Sequence, residues 1–243
     1  MGGGEHEGFN DAYRHVTAAC LRQHQEGVDV GQGFESEGTM MKATILLGTL
    51  KRTGLSHTET LCEFLAQRLR IAGVEPDTVK LVNRRILPGA YTDMGDGDEW
   101  PGIFEKVRES DMLLVATPIW WGGHSSLVQG VIERLDEVHD HILAGQASAL
   151  DGKAAGIVIT GDSDGAQHVI GNLCNFFNAL GVAVPPYATL SVLWERQAKG
   201  SDVGRAELMQ KFEQDYTAAA DKMIAQLVAA VRVSAARRAA EKA

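Results

Sequence analysis

Between residues 42 and 232 the chain alternates between two hydrophobic rhythms. Short runs of consecutive apolar residues read as strands covered on both faces. Longer stretches with apolar residues three and four apart read as amphipathic helices. Ala43-Thr44-Ile45-Leu46-Leu47 predicts a first strand over 43–48. Leu61, Phe64, Leu65 and Leu69 then share one face of a helix over about 57–72, which Gly73 stops. A short second strand falls around 78–82, and a loop follows that is punctuated by Pro88, Gly89, Gly95, Gly97 and Pro101. A brief helix over about 102–109 leads to Met112–Thr117, an almost unbroken apolar run that Pro118 ends. Val128, Val131, Ile132 and Leu135 predict a helix over about 125–138. Ala154 to Thr160 reads as the fourth strand, and a helix over about 165–180 ends at Gly181. The fifth strand lies within 182–192, interrupted by Pro185-Pro186, and a long helix over about 203–232 follows, with an Ala/Arg-rich tail, 236–243, expected to fray.

Five strands alternating with helices predict an α/β fold, a doubly wound parallel sheet with helices on both faces. Right-handed crossovers leave few topologies, and the order 2-1-3-4-5 fits best. In that order the loops after strands one and three line one crevice at the carboxyl edge of the sheet.

Composition adds three constraints. The net charge of −9 argues against a nucleic-acid or anionic-membrane partner. The acidity is uneven: residues 1–40 hold seven acids and two bases, and they are rich in Gly, Gln and His. That segment is read as a mobile N-terminal extension to a domain over 41–235. It lacks an apolar stretch of the kind a signal peptide needs. Cys20, Cys62 and Cys174 are far apart and odd in number, so they form neither a disulfide framework nor a Cys-x-x-Cys metal site. A reducing cytoplasm is the expected compartment.

The candidate chemistry begins where the first strand ends. Gly48-Thr49-Leu50-Lys51-Arg52-Thr53-Gly54-Leu55-Ser56-His57-Thr58 joins that strand to the first helix. A helix N-terminus offers unpaired N–H groups and a partial positive charge; hydroxyls and two cations add to it, so the turn reads as a phosphate cradle. The Walker pattern is excluded, because Gly54 is followed by Leu55-Ser56, and the dinucleotide fingerprint is excluded for want of a third glycine. A hydroxyl-based cradle suits a terminal monophosphate. Ser56 and Glu59 also form an S-x-x-E capping box, so helix capping alone accounts for those two residues but not for Thr49, Lys51, Thr53 and Thr58.

Two further loops belong to the same edge. Pro118-Ile119-Trp120-Trp121-Gly122-Gly123 follows the third strand. A flat ligand needs a wall and a close backbone approach, which the tryptophans and glycines supply; the alternative is that the rings cap the core or meet another subunit. Gly161-Asp162-Ser163-Asp164-Gly165-Ala166-Gln167 follows the fourth strand, either as part of the same site or as an ordinary turn with Asp164 as N-cap. The weaker candidates are His139-Asp140-His141, read as a solvated helix end rather than a metal site, and Asp93 to Glu99, read as a mobile acidic loop. His57, His124 and His168 fall in the three loops and are read by default as surface histidines.

Together the three loops resemble the flavodoxin-like NAD(P)H-dependent FMN oxidoreductases, of the NADPH-dependent FMN reductase and quinone reductase type. The turn at 48–58 is similar to their G-[ST]-x-[KR]…S-x-T phosphate loop. Pro118-Ile119-Trp120-Trp121-Gly122 is similar to their ring-side loop, followed by Ile132-Glu133-Arg134-Leu135-Asp136. The resemblance covers about 42–235. It implies a flavodoxin-like fold and non-covalent FMN, with Thr49, Lys51, Ser56 and Thr58 at the phosphate. Pro118, Ile119, Trp120, Trp121 and Gly122 would lie at the ring, with Gly161 and Gly165 nearby. It implies hydride transfer from NAD(P)H to the flavin and onward transfer to a quinone or another small acceptor, with no catalytic acid–base residue and a homodimer or homotetramer. The chain lacks the cysteine cluster of the iron–sulfur branch and the T-G-N-T loop of electron-carrier flavodoxins. An electron-transfer protein serving a protein partner and a flavin-free interaction protein are the alternatives on this fold.

Overall fold

A computed structural model describes residues 40–197 and 202–241; the N-terminal extension therefore lies outside the described residues. Five strands form one parallel sheet in the order β2-β1-β3-β4-β5. They are β1 (Met41–Leu47), β2 (Val74–Lys80), β3 (Met112–Pro118), β4 (Ala154–Gly161) and β5 (Thr189–Leu193). The helices are α1 (His57–Ile71), α2 (Trp100–Glu109), α3 (Ser126–Arg134), α4 (Asp136–Leu143), α5 (Ala166–Ala179) and α6 (Arg205–Glu241).

Strand alternation splits the core into two layers. Ile45, Leu47, Leu114 and Val158 pack under α1 and α6, while Leu46, Leu113, Val115, Ile157 and Ile159 pack under α2 to α5. Burial on both faces is why β3 and β4 carry consecutive apolar residues instead of an alternating pattern. The long α6 is held on α1 by Phe64 against Phe212, centroids 6.1 Å apart, and by Arg68, which donates to both Asp221 oxygens at 2.7 and 2.6 Å.

Four elements differ from the sequence expectation. β2 starts at Val74 rather than 78, pairing Met41↔Val74 onward with β1 alone. Its charges and Pro76 disguise it, and an edge strand tolerates both because one side needs no ladder donor. β5 is confined to Thr189–Leu193, after the turn at Pro185-Pro186. The α6 helix continues to Glu241 where fraying was expected, and Arg237 and Arg238 there donate to Asp151 Oδ1 and Asp151 O at 3.2 and 3.1 Å. The helix expected over 125–138 breaks at Leu135 into α3 and α4. Apolar spacing continues through the break, but Asp136 and Glu137 supply the negative charge that favours a new N-terminus.

At that break Arg134 turns inward. Its guanidinium donates to Leu87 O (2.7 Å), Tyr91 O (2.7 Å), Thr92 O (2.8 Å) and Asp98 Oδ2 (2.6 Å), and it stacks over Trp100. The two side chains of the ion pair are 1% and 0% exposed. Asp98 also accepts from the N–H groups of Leu87, Met94 and Trp100. The acidic stretch expected to be mobile is thus pinned from inside. Burial alone raises the Asp98 carboxyl, but the Arg134 hydrogen bond and those three N–H donors outweigh it and bring it to about 2.

Removing one partner strands the other charge. Asp98→Ala is therefore expected to cost about 3–5 kcal/mol in urea unfolding. The pH dependence has a fixed sign. The folded value lies below the ordinary aspartate value of about 3.9, so Asp98 stabilises the fold above about pH 4 and loses that contribution as pH falls through about 2. Unfolding curves collected between about pH 5 and pH 2 should fall less steeply for Asp98→Asn than for the wild type.

Candidate functional site

The carboxyl ends of β1, β3 and β4 lie side by side, and their loops meet there. Gly48 closes β1. Its N–H donates to Ala116 O at 2.7 Å, and a Cβ on it would stand 2.5 Å from Val128 Cγ2 and 2.8 Å from Ser125 Oγ. Only glycine lets the end of β1 pass this close to the start of α3, and the turn that follows is thereby aimed across the sheet edge.

Within that turn the hydroxyls bond to one another. Ser56 Oγ donates to Thr49 Oγ1 at 2.8 Å, and Thr49 Oγ1 also accepts from Lys51 N–H at 3.3 Å. Thr49 accepts twice, so its own O–H is free to donate elsewhere. Ser56 is the N-cap of α1 and accepts from Glu59 N–H at 3.2 Å. The His57 and Thr58 N–H groups then have no acceptor among the described residues, as the first turn of a helix dictates. The expected capping box is only half formed. The Glu59 carboxylate binds Lys80 Nζ at 2.8 and 2.9 Å, and Lys80 also donates to Arg52 O at 3.1 Å. Lys80, at the end of β2, thus braces the turn from the side. Lys51 is exposed, and its ammonium folds back to Leu55 O at 2.8 Å.

Thr58 sits differently from its neighbours. It is buried, with Oγ1 2.7 Å from Thr160 Oγ1 at the end of β4. It links the start of α1 to the base of the third loop. One bond between two hydroxyls uses one proton, so the pair keeps one for a further acceptor.

The loop after β3 is a type I′ turn. Trp120 and Gly123 exchange two backbone hydrogen bonds of 2.8 and 2.9 Å, and the central residues Trp121 and Gly122 have φ of 48° and 77°. Trp121 is fully exposed and Trp120 is 48% exposed, so neither ring caps the core. The loop base is fixed by Ile119 N–H to Thr160 O (2.9 Å) and by Ser125 N–H to Thr117 Oγ1 (2.9 Å). Pro118 and Ile119 are half-buried beneath it. The loop after β4 comes against this turn: a Cβ on Gly165 would lie 2.9 Å from Gly122 Cα. Gly165, with φ of 100°, precedes α5, and Asp164 makes no cap there.

The structure therefore brings Thr49, Ser56, Thr58, Ile119, Gly122, Gly161 and Gly165 to one edge, with Lys51 and the tryptophans projecting from it. Sequence reading missed two neighbours. Thr160 carries a usable signal, a polar residue ending an apolar parallel strand beside a candidate loop. Gln197 carries none. It lies in a helical turn after β5, which Trp194 N–H ties to Gly161 O at 2.9 Å, and it meets the ring of half-buried His57. Burial, with the Lys51 charge adding to it, holds the His57 imidazole below its ordinary value, and Gln197 works the other way. Cys62 is buried, and its thiol is pushed far above its ordinary value by that burial and by Glu59 and Glu63, so it is inert.

The chain is similar to several known proteins. The chain is 32% identical over 158 residues to an 8-demethyl-8-aminoriboflavin-5′-phosphate synthase of Streptomyces davaonensis, covering 61% of this chain and 62% of that protein. It is 35% identical over 153 residues to part of a divalent metal cation transporter MntH of Mycobacterium bovis, covering 61% of this chain and 22% of that protein. The chain thus spans less than two thirds of either curated relative. The crystal structure of RosB with a bound intermediate, 8-demethyl-8-formylriboflavin-5′-phosphate, matches with a TM-score of 0.64 at 27% identity, over 84% of this chain and 88% of that one. The family model for NADPH-dependent FMN reductase matches residues 41–193, which run from β1 through β5 and include all three loops, and the chain belongs to that family.

Proposed function

We propose that this protein is an FMN-dependent oxidoreductase that takes electrons from NAD(P)H and passes them to a small acceptor such as a quinone. The observation that carries the reading is the pairing of uncommitted donors with exposed aromatic surface on one edge. The Thr49 O–H and the His57 and Thr58 N–H groups belong to the loop that leaves the carboxyl end of β1, and the Trp120-Trp121 turn to the loop that leaves the adjacent end of β3. A monophosphate ester on a flat ring needs both.

The residues fit FMN. Thr49 and the first N–H groups of α1 would bind the phosphate, with Ser56 holding Thr49 in place and Lys51 and Arg52 offsetting the charge. Pro118, Ile119, Trp120, Trp121 and Gly122 would orient the ring. Gly165, packed on Gly122, would keep bulk away from its edge. Thr58 acts through Thr160 as a positioning residue that ties the phosphate turn to the ring-side loops. When bound, FMN supplies the two-electron chemistry itself, and the protein provides binding, orientation and a partly desolvated edge. Family membership and the flavin-phosphate relatives support this reading.

A second reading is favoured by one observation. One relative is named for a reaction product that is a modified flavin phosphate, and a structure similar to this one holds such a compound. On that reading FMN is the molecule acted upon. Mass spectrometry of the flavin recovered after turnover with NAD(P)H and a quinone separates the two. Unchanged FMN with NAD(P)H consumed supports the oxidoreductase, and a changed mass supports flavin modification.

Thr49→Val and Ser56→Ala are each expected to weaken FMN binding about tenfold, in line with about 1–1.5 kcal/mol for a lost hydrogen bond. Fluorescence titration with an unchanged circular dichroism spectrum checks this, and unaltered affinity in both variants would refute the phosphate assignment. Trp121→Gly removes a strained non-glycine residue from a positive-φ position, a relief of about 1 kcal/mol. Its Tm should hold or rise while the KM for a quinone acceptor rises, which steady-state kinetics and thermal melts can measure side by side.

A further inference from the structure

The Glu59 carboxylate is not where its place in the sequence would put it. Ser56 and Glu59 have the spacing of a reciprocal capping box. In that motif the N-cap side chain accepts from the N–H three residues on, and that residue's carboxylate accepts from the N-cap N–H. The first half is present, since Ser56 Oγ accepts from Glu59 N–H at 3.2 Å. The second half is not made. Both Glu59 oxygens lie on Lys80 Nζ, at 2.9 and 2.8 Å, and the Ser56 N–H has no acceptor among the described residues. Lys80 reaches Glu59 because it ends β2 in register with Leu47 at the end of β1, and its ammonium is also anchored on Arg52 O at 3.1 Å. The two side chains are 17% and 23% exposed, so the pair is no loose surface contact.

Diverting that carboxylate leaves an anion site open. The Ser56 N–H joins those of His57 and Thr58 as a third unpaired donor at the start of α1. Beside them Thr49 is 3% exposed and accepts twice, so its own O–H is uncommitted. A carboxylate on the Ser56 N–H would take the place of a ligand oxygen and repel its charge. We infer that Lys80 is a positioning residue for the phosphate of FMN: it holds Glu59 off the Ser56 N–H and so keeps that donor for a phosphate oxygen. This rests on the flavin reading above. It adds a backbone donor to the phosphate site and a lysine that acts on the phosphate through Glu59.

The test is fluorescence titration of FMN, and of riboflavin, which has the ring without the phosphate. The proteins are full-length wild type, Lys80→Met, and Lys80→Met combined with Glu59→Ala or with Glu59→Gln. In Lys80→Met the released carboxylate closes the capping box, so FMN affinity should fall about tenfold while riboflavin affinity stays within about twofold. Adding Glu59→Ala removes the competitor and should restore most of the FMN affinity. Adding Glu59→Gln should restore less, because Gln closes a capping box as Glu does. The two double variants carry the same net charge, so equal rescue by both means that Lys80 acts by charge alone and overturns the inference. Absence of rescue by Glu59→Ala, or an equal loss of FMN and riboflavin binding in Lys80→Met, overturns it as well. Absence of FMN binding to wild type overturns the flavin reading itself. If Lys80→Met does not fold, solvent-exchange NMR of the Ser56 amide in wild type decides the matter. Its exchange should slow with FMN and not with riboflavin, and exchange that FMN leaves unchanged overturns the proposal.

Discussion

The edge on which this protein's chemistry is proposed exists because two strand ends and a helix start converge where there is no room for a side chain. Gly48 hydrogen-bonds to the neighbouring strand at Ala116 while Val128 and Ser125 fill the space a Cβ would need. Everything distinctive about the edge follows from that contact. The β1–α1 turn leaves the sheet toward β3 and β4, so Thr58 reaches Thr160. A methyl group there would push α3 outward and move Ser125, whose N–H anchors the tryptophan loop to Thr117. The site is a consequence of close packing at one residue, and the hydroxyl network is built on top of it.

A second constraint works from beneath. A long loop between β2 and α2 has little apolar content of its own and is still ordered, because one buried guanidinium accepts the task of satisfying three of its carbonyls and one of its carboxylates. The loop is organised by a charge supplied from α3. The helix break at Leu135 belongs to the same arrangement, with Glu137 of α4 accepting from Thr92 N–H at 2.6 Å. This loop and α3 are thereby coupled, so a disturbance of Asp98 reaches the helix that begins at the tryptophan loop. Buried ion pairs of this kind contribute little net stability over an apolar replacement; their effect is to exclude alternative arrangements of the loop.

The sequence disclosed what is periodic and hid what is not. β1, β3 and β4 are central strands, and their apolar runs place them within a residue or two; their order follows from right-handed crossovers. β2 is an edge strand, and Glu75, Pro76 and Asp77 remove the very pattern by which strands are recognised. The break at Leu135 is invisible because Val131, Leu135 and Val138 keep helical spacing through it, and all three are buried. Asp98 reads as one carboxylate among several in Asp93 to Glu99, and its burial depends on Arg134, 36 residues further on. The β1–α1 turn and the tryptophan loop were readable because they are local motifs. Gln197 was not, since its meeting with His57 spans most of the domain and leaves no mark in the residues around it.

Hydrogen-bond accounting sharpens what those local motifs mean. A reading by residue type treats every Ser and Thr in the turn as equivalent, yet the structure gives them separate tasks. Ser56 spends its proton on Thr49 and its lone pair on the helix N-terminus, so it fixes the shape of the turn. Thr49 receives two donors and keeps its own proton, which makes it the outward-facing donor of the set. Thr58 is committed to β4 and transmits position. On the flavin reading Thr49 is the hydroxyl that would contact the ligand, and Ser56 would be felt mainly through it. Losing Ser56 should therefore loosen the turn and the start of α1 together, whereas losing the Thr49 hydroxyl should remove one donor from an otherwise intact turn.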